Sequence, residues 1–299
     1  MSQSWCDRIA QLSAMMEECV LCPRRCGVNR LKGEVGVCGV GADALVASYG
    51  PHFGEESVLV GRFGSGTIFF AGCNLKCVFC QNYDISHLRR GITMSPRELA
   101  GAMLELSDSG CHNINLVTPT HQIARIVEAV GIARNKGLEV PLVYNCGGYE
   151  SVEVLKLLEG IVDIYMPDIK YGDNEAGRKY SQVPDYWDRC REAVSEMHRQ
   201  VGDLEISCVK LGSGQQIKIA TRGLLVRHLV MPNDIANTRA VVEFLATQIS
   251  KDTYVNIMPQ YRTEWNATKF PELSRRITRD EYIRAMDEAR RVGLYRFAD

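Results

Sequence analysis

The chain has 299 residues, 45% of them hydrophobic and 24% charged, which suits one large globular α/β domain with a small appendage. Thirty-five basic residues offset thirty-six acidic ones for a formal net charge of −1, and no Lys/Arg block stands out, which argues against a nucleic-acid partner. No apolar run is long enough to cross a membrane, and the opening MSQSWCDRIAQLSAMMEE lacks a basic region followed by an apolar stretch, so a cytoplasmic location is expected.

Residues 1–65 begin with a helix-like stretch and continue as a cysteine- and glycine-rich arm. Within it CVLCPRRCGVNRLKGEVGVC sets Cys19, Cys22, Cys26 and Cys38 at C-x2-C-x3-C-x11-C spacing. Four thiolates this close, with turn-forming residues between them, can close around structural zinc or an auxiliary iron–sulfur cluster, and thiolate softness does not choose between the two. The Gly61-Arg62-Phe63-Gly64-Ser65-Gly66 stretch precedes a strand instead of joining strand to helix, so it is not read as a dinucleotide loop.

From residue 66 a rhythm sets in. Short apolar runs fit buried strands: TIFFAG (67–72), INLVT (114–118), PLVYN (141–145), VDIYM (162–166), LLVRHLV (224–230) and YVNIM (254–258). Helices are predicted over 95–109, 121–136, 150–159, 185–200, 236–250 and 279–292. The first opens on Ser95-Pro96-Arg97-Glu98, a capping residue, a proline at the first helical position and a glutamate at the third. Alternating strands and helices imply parallel pairing, and six such units suggest an α/β fold with a partial (β/α)6 barrel, TIM-like but short of eight strands. We divide the chain into the arm (1–65), a barrel core (66–270) and a C-terminal helical segment (271–299). Residues 201–223 break the rhythm and alternate like a hairpin around Gly212-Ser213-Gly214.

The first strand is followed directly by Cys73, Cys77 and Cys80, spaced C-x3-C-x2-C with no fourth cysteine nearby. Barrel chemistry sits in the loops after strand C-termini, which places these thiols on the active face. Three thiols cover three corners of a four-iron cluster and leave the fourth iron open to a small molecule; the competing reading is a zinc site completed by a distant ligand. The remaining cysteines, Cys6, Cys111, Cys146, Cys190 and Cys208, are read as small buried hydrophobes.

The C-x3-C-x-aromatic-C loop, with Phe79 as the aromatic, resembles the signature of the radical S-adenosylmethionine (SAM) superfamily. Gln81-Asn82 is similar to the segment that follows in pyruvate formate-lyase activating enzymes, and Met166-Pro167-Asp168-Ile169-Lys170 to their Met-x-Asp-x-Lys. Two positions depart from them. Thr118-Pro119-Thr120-His121 stands where they often have Gly-Gly-Glu, and Asn145 stands where they have an aspartate that helps hold a monovalent cation. Val226–Pro232 and Asn256–Pro259 are similar to their last two strand ends, and the cysteine arm resembles that of a subgroup described only as similar to these enzymes.

The resemblance implies a [4Fe–4S] cluster on Cys73, Cys77 and Cys80, SAM on its open iron, and reductive cleavage to a 5′-deoxyadenosyl radical that abstracts hydrogen. It implies that Phe79 packs near the adenine, that Asn82, Asn145, Thr118 and Thr120 border the cofactor, and that Asp168, Lys170, Arg227 and His228 line its pocket. A low-potential electron donor, a flavodoxin or ferredoxin, is implied as a partner. Activation of a glycyl-radical enzyme is the first expectation for the substrate. Abstraction from a small molecule or another peptide is the second. A non-catalytic iron–sulfur or zinc protein that senses redox state or scaffolds partners is the alternative from another class. PQYRTEW (259–265) is a candidate substrate-facing stretch.

Overall fold

The structure, a computed structural model, describes residues 4–210, 214 and 216–299. Among the described residues nine strands form the sheet: β1 (Ala44–His52), β2 (Ser65–Phe70), β3 (Ile92–Met94), β4 (Ile114–Val117), β5 (Leu142–Cys146), β6 (Ile164–Pro167), β7 (Glu205–Lys210), β8 (Gln216–Leu229) and β9 (Tyr254–Met258). The strands β2, β4, β5, β6, β8 and β9 pair in that order, each parallel to the next, and build the expected six-stranded partial barrel. Strand β5 is buried along its whole length and β2 along nearly all of it, as strands covered on both faces must be. Among the described residues, no helix is long and apolar enough to cross a membrane.

Helices cover the outside. Pro96–Asp108 starts at a capping box in which Ser95 Oγ accepts from the Glu98 amide and the Glu98 carboxylate accepts from the Ser95 amide, as the sequence predicts. Ile123–Asn135 and Tyr186–Val201 follow in their expected places. The expected helix over 236–250 is Thr238–Phe244 continued by a π-helical turn, Leu245–Ile249.

Three features go beyond the sequence reading. Part of residues 1–65 joins the sheet, because β1 pairs antiparallel with both β2 and β3. The hairpin expected in 201–223 is present as antiparallel β7 and β8, but β8 runs on unbroken into the fifth parallel strand. Of its expected turn, Gly212 and Ser213 lie outside the described residues. The scattered cysteines also divide: Cys111, Cys146 and Cys190 are buried as expected, whereas Cys6 and Cys208 are exposed.

Candidate active site and second thiol cluster

A cavity of about 810 Å³ opens at the C-terminal ends of the parallel strands. The loop after β2 supplies Cys73, Cys77, Phe79, Cys80 and Asn82 to its wall. Thr118 follows β4, Asn145 and Cys146 end β5, Asp168 and Lys170 follow β6, Arg227 lies on β8, and Asn256, Ile257 and Met258 end β9. Six strand ends thus converge on one space, because parallel strands all deliver their following loops to the same end.

The three thiols are anchored individually. Cys73 Sγ accepts from the Leu75 amide at 3.4 Å, Cys77 Sγ lies 3.0 Å from Ser181 Oγ, and Cys80 Sγ lies 3.1 Å from Ser86 Oγ. Burial, reinforced by the neighbouring Cys77, pushes the Cys73 thiol up to about 12, and burial also raises Cys77. Thiols held this high ionise at neutral pH only where a metal replaces the proton. Phe79 is buried edge-on against Tyr171, with ring centroids 6.3 Å apart, and tilted against Tyr261 at 5.9 Å.

Two charge pairs lie in the wall. Lys170 Nζ donates to Asp168 Oδ2 at 2.7 Å; burial disfavours the ammonium, but the carboxylate more than compensates and its pKa rises. The other oxygen, Asp168 Oδ1, is buried and has no hydrogen-bond partner in the polypeptide. An unpaired buried carboxylate oxygen on the cavity wall is an acceptor suited to a polar ligand, so the thiol triad and this oxygen together fit a cluster with a bound cofactor. Arg227 donates to Glu56 at 2.7 and 2.5 Å and also to Glu55. Asn256 Nδ2 donates to Glu56 Oε1 at 2.7 Å. Burial pushes the Glu56 carboxyl up, but Arg227 and Asn256 outweigh it and hold it below the usual carboxylate range. The sequence reading missed Glu55 and Glu56, which reach the barrel mouth from residues assigned to the arm; no spacing signal marks them.

Two expected pocket residues lie elsewhere. His228 is fully buried on the opposite face of β8 from Arg227, bonded to the Ile169 carbonyl at 2.7 Å and Thr238 Oγ1 at 3.0 Å. Strand alternation forces this, since neighbours on a strand face opposite sides. Thr120 is likewise buried behind the wall, where its hydroxyl donates to Glu150 Oε1 at 2.8 Å. Tyr144 donates to the other oxygen of Glu150 at 2.8 Å, and burial pushes that carboxyl up to about 7 despite both bonds. In the 259–265 stretch Pro259, Gln260 and Tyr261 line the cavity, whereas Trp265 stacks between Tyr83 and His87 at 5.0 and 5.2 Å.

The arm's four cysteines surround a separate cavity of only about 10 Å³, shared with Arg24, Arg30, Asn74 and His121. Turns at Arg25, Gly27 and Gly39, all at positive φ, fold the segment around it. Burial pushes the Cys22 thiol up to about 12. The arm lies directly against the active-site loop: Arg24 donates to the Asn74 carbonyl, and a Cβ on Gly72 would stand 2.8 Å from the Cys38 carbonyl oxygen. Only glycine permits that approach.

Residues 67–209 match the family model described as the Radical SAM superfamily. The chain is 33% identical over 290 residues to the uncharacterized protein MJ0674 of Methanocaldococcus jannaschii, covering 94% of this chain and 76% of that protein. The crystal structure of Streptococcus suis SuiB bound to precursor peptide SuiA superposes with a TM-score of 0.50 at 12% identity, over 76% of this chain and 46% of that one, and shares the fold. This chain thus spans less than half of SuiB. Methylornithine synthase (PylB) matches with a TM-score of 0.48 at 19% identity, over 75% of this chain and 62% of that one. The thiol triad seen at the barrel mouth falls inside the matched residues, and the chain belongs to the radical SAM superfamily of enzymes.

Proposed function

We propose that the protein cleaves SAM reductively at a [4Fe–4S] cluster on Cys73, Cys77 and Cys80 and takes a hydrogen atom from a polypeptide partner, as a glycyl-radical-enzyme activase does. Cys73, Cys77 and Cys80 would hold the cluster, which when bound would supply the electron for reductive cleavage of SAM into methionine and a 5′-deoxyadenosyl group able to take a hydrogen atom and leave as 5′-deoxyadenosine. The observation that carries this reading is the placement of the three loop thiols, Cys73, Cys77 and Cys80, on the wall of a large cavity that also presents Asp168 Oδ1; the other thiol on that wall, Cys146, belongs to strand β5.

The chain's own groups hold and shield the reactants. Asp168 Oδ1 accepts from a ligand hydroxyl or ammonium, while Lys170 fixes the carboxylate by its other oxygen. Thr118 and Asn145 add polar contacts from neighbouring strand ends. Phe79, braced by Tyr171 and Tyr261, gives the wall an apolar face for an aromatic base. Lys170 and Arg227 on the wall each already face a carboxylate, which leaves neither cation free for an anionic metabolite and suits a neutral C–H donor such as a backbone Cα. A flavodoxin or ferredoxin supplies the electron, and the four arm cysteines hold a second metal centre, zinc or iron–sulfur.

The test is anaerobic reconstitution with iron and sulfide, followed by SAM and dithionite. The reading expects 5′-deoxyadenosine from the intact protein and none from Cys77→Ala. With candidate partners labelled by deuterium at glycine Cα, the label should enter 5′-deoxyadenosine. Label arriving only from small metabolites overturns the polypeptide assignment and leaves the cleavage chemistry standing.

A further inference from the structure

Arg30 is only 1% exposed. Its guanidinium donates to the Gly41 carbonyl at 2.9 and 2.5 Å and to the His121 carbonyl at 2.5 Å, and it forms no salt bridge among the described residues. Carbonyl oxygens solvate a cation without neutralising it, and a buried charge left uncompensated is strongly unfavourable. The same guanidinium lines the small cavity formed by Cys19, Cys22, Cys26 and Cys38, as does Arg24, which is less deeply buried. Four thiolates on Zn²⁺ or on an oxidised four-iron cluster carry a net charge of about −2. Either supplies the anion that the polypeptide around Arg30 lacks. His121, on the same wall, donates from Nε2 to the Ala71 carbonyl at 2.9 Å, and its buried Nδ1 has no hydrogen-bond partner in the polypeptide.

We propose that Arg30 is the buried counter-cation of a tetrathiolate metal centre on Cys19, Cys22, Cys26 and Cys38. This rests on the reading of the arm as a second metal site. Arg30 is a positioning residue there. It also ties that centre to the barrel, because the His121 carbonyl it grips belongs to the residue whose ring bonds Ala71, two positions before Cys73.

The test compares full-length wild type with Arg30→Gln, which keeps hydrogen bonding without charge, and Arg30→Lys, which keeps charge. Iron and zinc are counted per chain after anaerobic reconstitution, and release of arm metal to a chelator is timed. The wild type should hold about four irons plus one zinc, or about eight irons, and the count separates the two metals. Arg30→Gln should lose arm metal roughly 10- to 100-fold faster while Arg30→Lys stays near wild type. Equal release from all three, or equal loss in both variants, overturns the counter-charge role. A wild-type count of about four irons and no zinc overturns the second-site reading itself, before any Arg30 variant is compared.

A second measurement guards against variants that merely fold poorly. With all four arm cysteines changed to serine, Arg30→Gln should raise the thermal midpoint, whereas in the metal-loaded protein it should lower it. Lowering in both backgrounds overturns the proposal.

Discussion

Two buried arginines separate the barrel mouth from the arm. Arg227 meets two carboxylates, Glu55 and Glu56, and an amide from Asn256 holds one of them in place. Arg30 meets carbonyl oxygens and a ring of thiols. At the mouth each cation already has a carboxylate partner in the polypeptide, so the thiol triad and Asp168 Oδ1 remain free to serve a ligand. In the arm the thiols surround only about 10 Å³, and the charge balance there must come from what they bind. One region is built to exchange its contents and the other to keep them.

The largest test of that contrast is Cys77→Ala, which should remove the barrel cluster and with it all SAM cleavage, while arm metal persists; metal counts on the purified variant check this. Next comes Arg227→Met. It strands two buried carboxylates and should cost about 3–5 kcal/mol in chemical denaturation. The slope with pH should also invert. In the wild type Glu56 has a lowered pKa, so its contribution is full above the ordinary carboxylate value and fades as pH falls through the lowered one. Without Arg227 burial raises the Glu56 pKa, and acid should then stabilise the variant.

Glu150 sharpens the comparison from between the two regions, since its charge is felt at both Cys22 and Cys146. Its carboxyl is raised to about 7, so the stability it contributes is complete below the ordinary carboxylate value and is lost as pH rises through 7. Glu150→Gln should flatten that dependence, with a difference on the order of 3 kcal/mol between pH 5 and 8 in paired denaturation curves. The smallest effect is a control remote from both thiol sets. Ser95→Ala removes one cap of the Pro96–Asp108 helix and should cost about 1 kcal/mol with no change in either metal count.

Much of this was legible in the residues. The buried strands announce themselves as apolar runs, and Ser95-Pro96-Arg97-Glu98 marks a helix start by chemistry that acts locally. The thiol triad is legible because its ligands lie within one loop. What the sequence hid depends on distance in space. Arg227 and His228 are neighbours in the chain, yet strand alternation sends one to the cavity and the other behind it. Glu55 and Glu56 approach Arg227 across more than 170 residues, and a pairing of that span leaves no periodic trace. That Arg30 has no carboxylate partner is visible only once its neighbours are known to be carbonyls and sulfur.

The most direct measurement is electron paramagnetic resonance of the reduced, reconstituted protein titrated with SAM. An open iron on the three-thiol loop predicts that SAM alters the cluster spectrum in wild type and equally in a Cys22→Ser variant, since the arm centre offers no open position. A fully loaded barrel cluster whose spectrum ignores SAM, or a SAM response that disappears only when the arm cysteines are removed, would contradict the account.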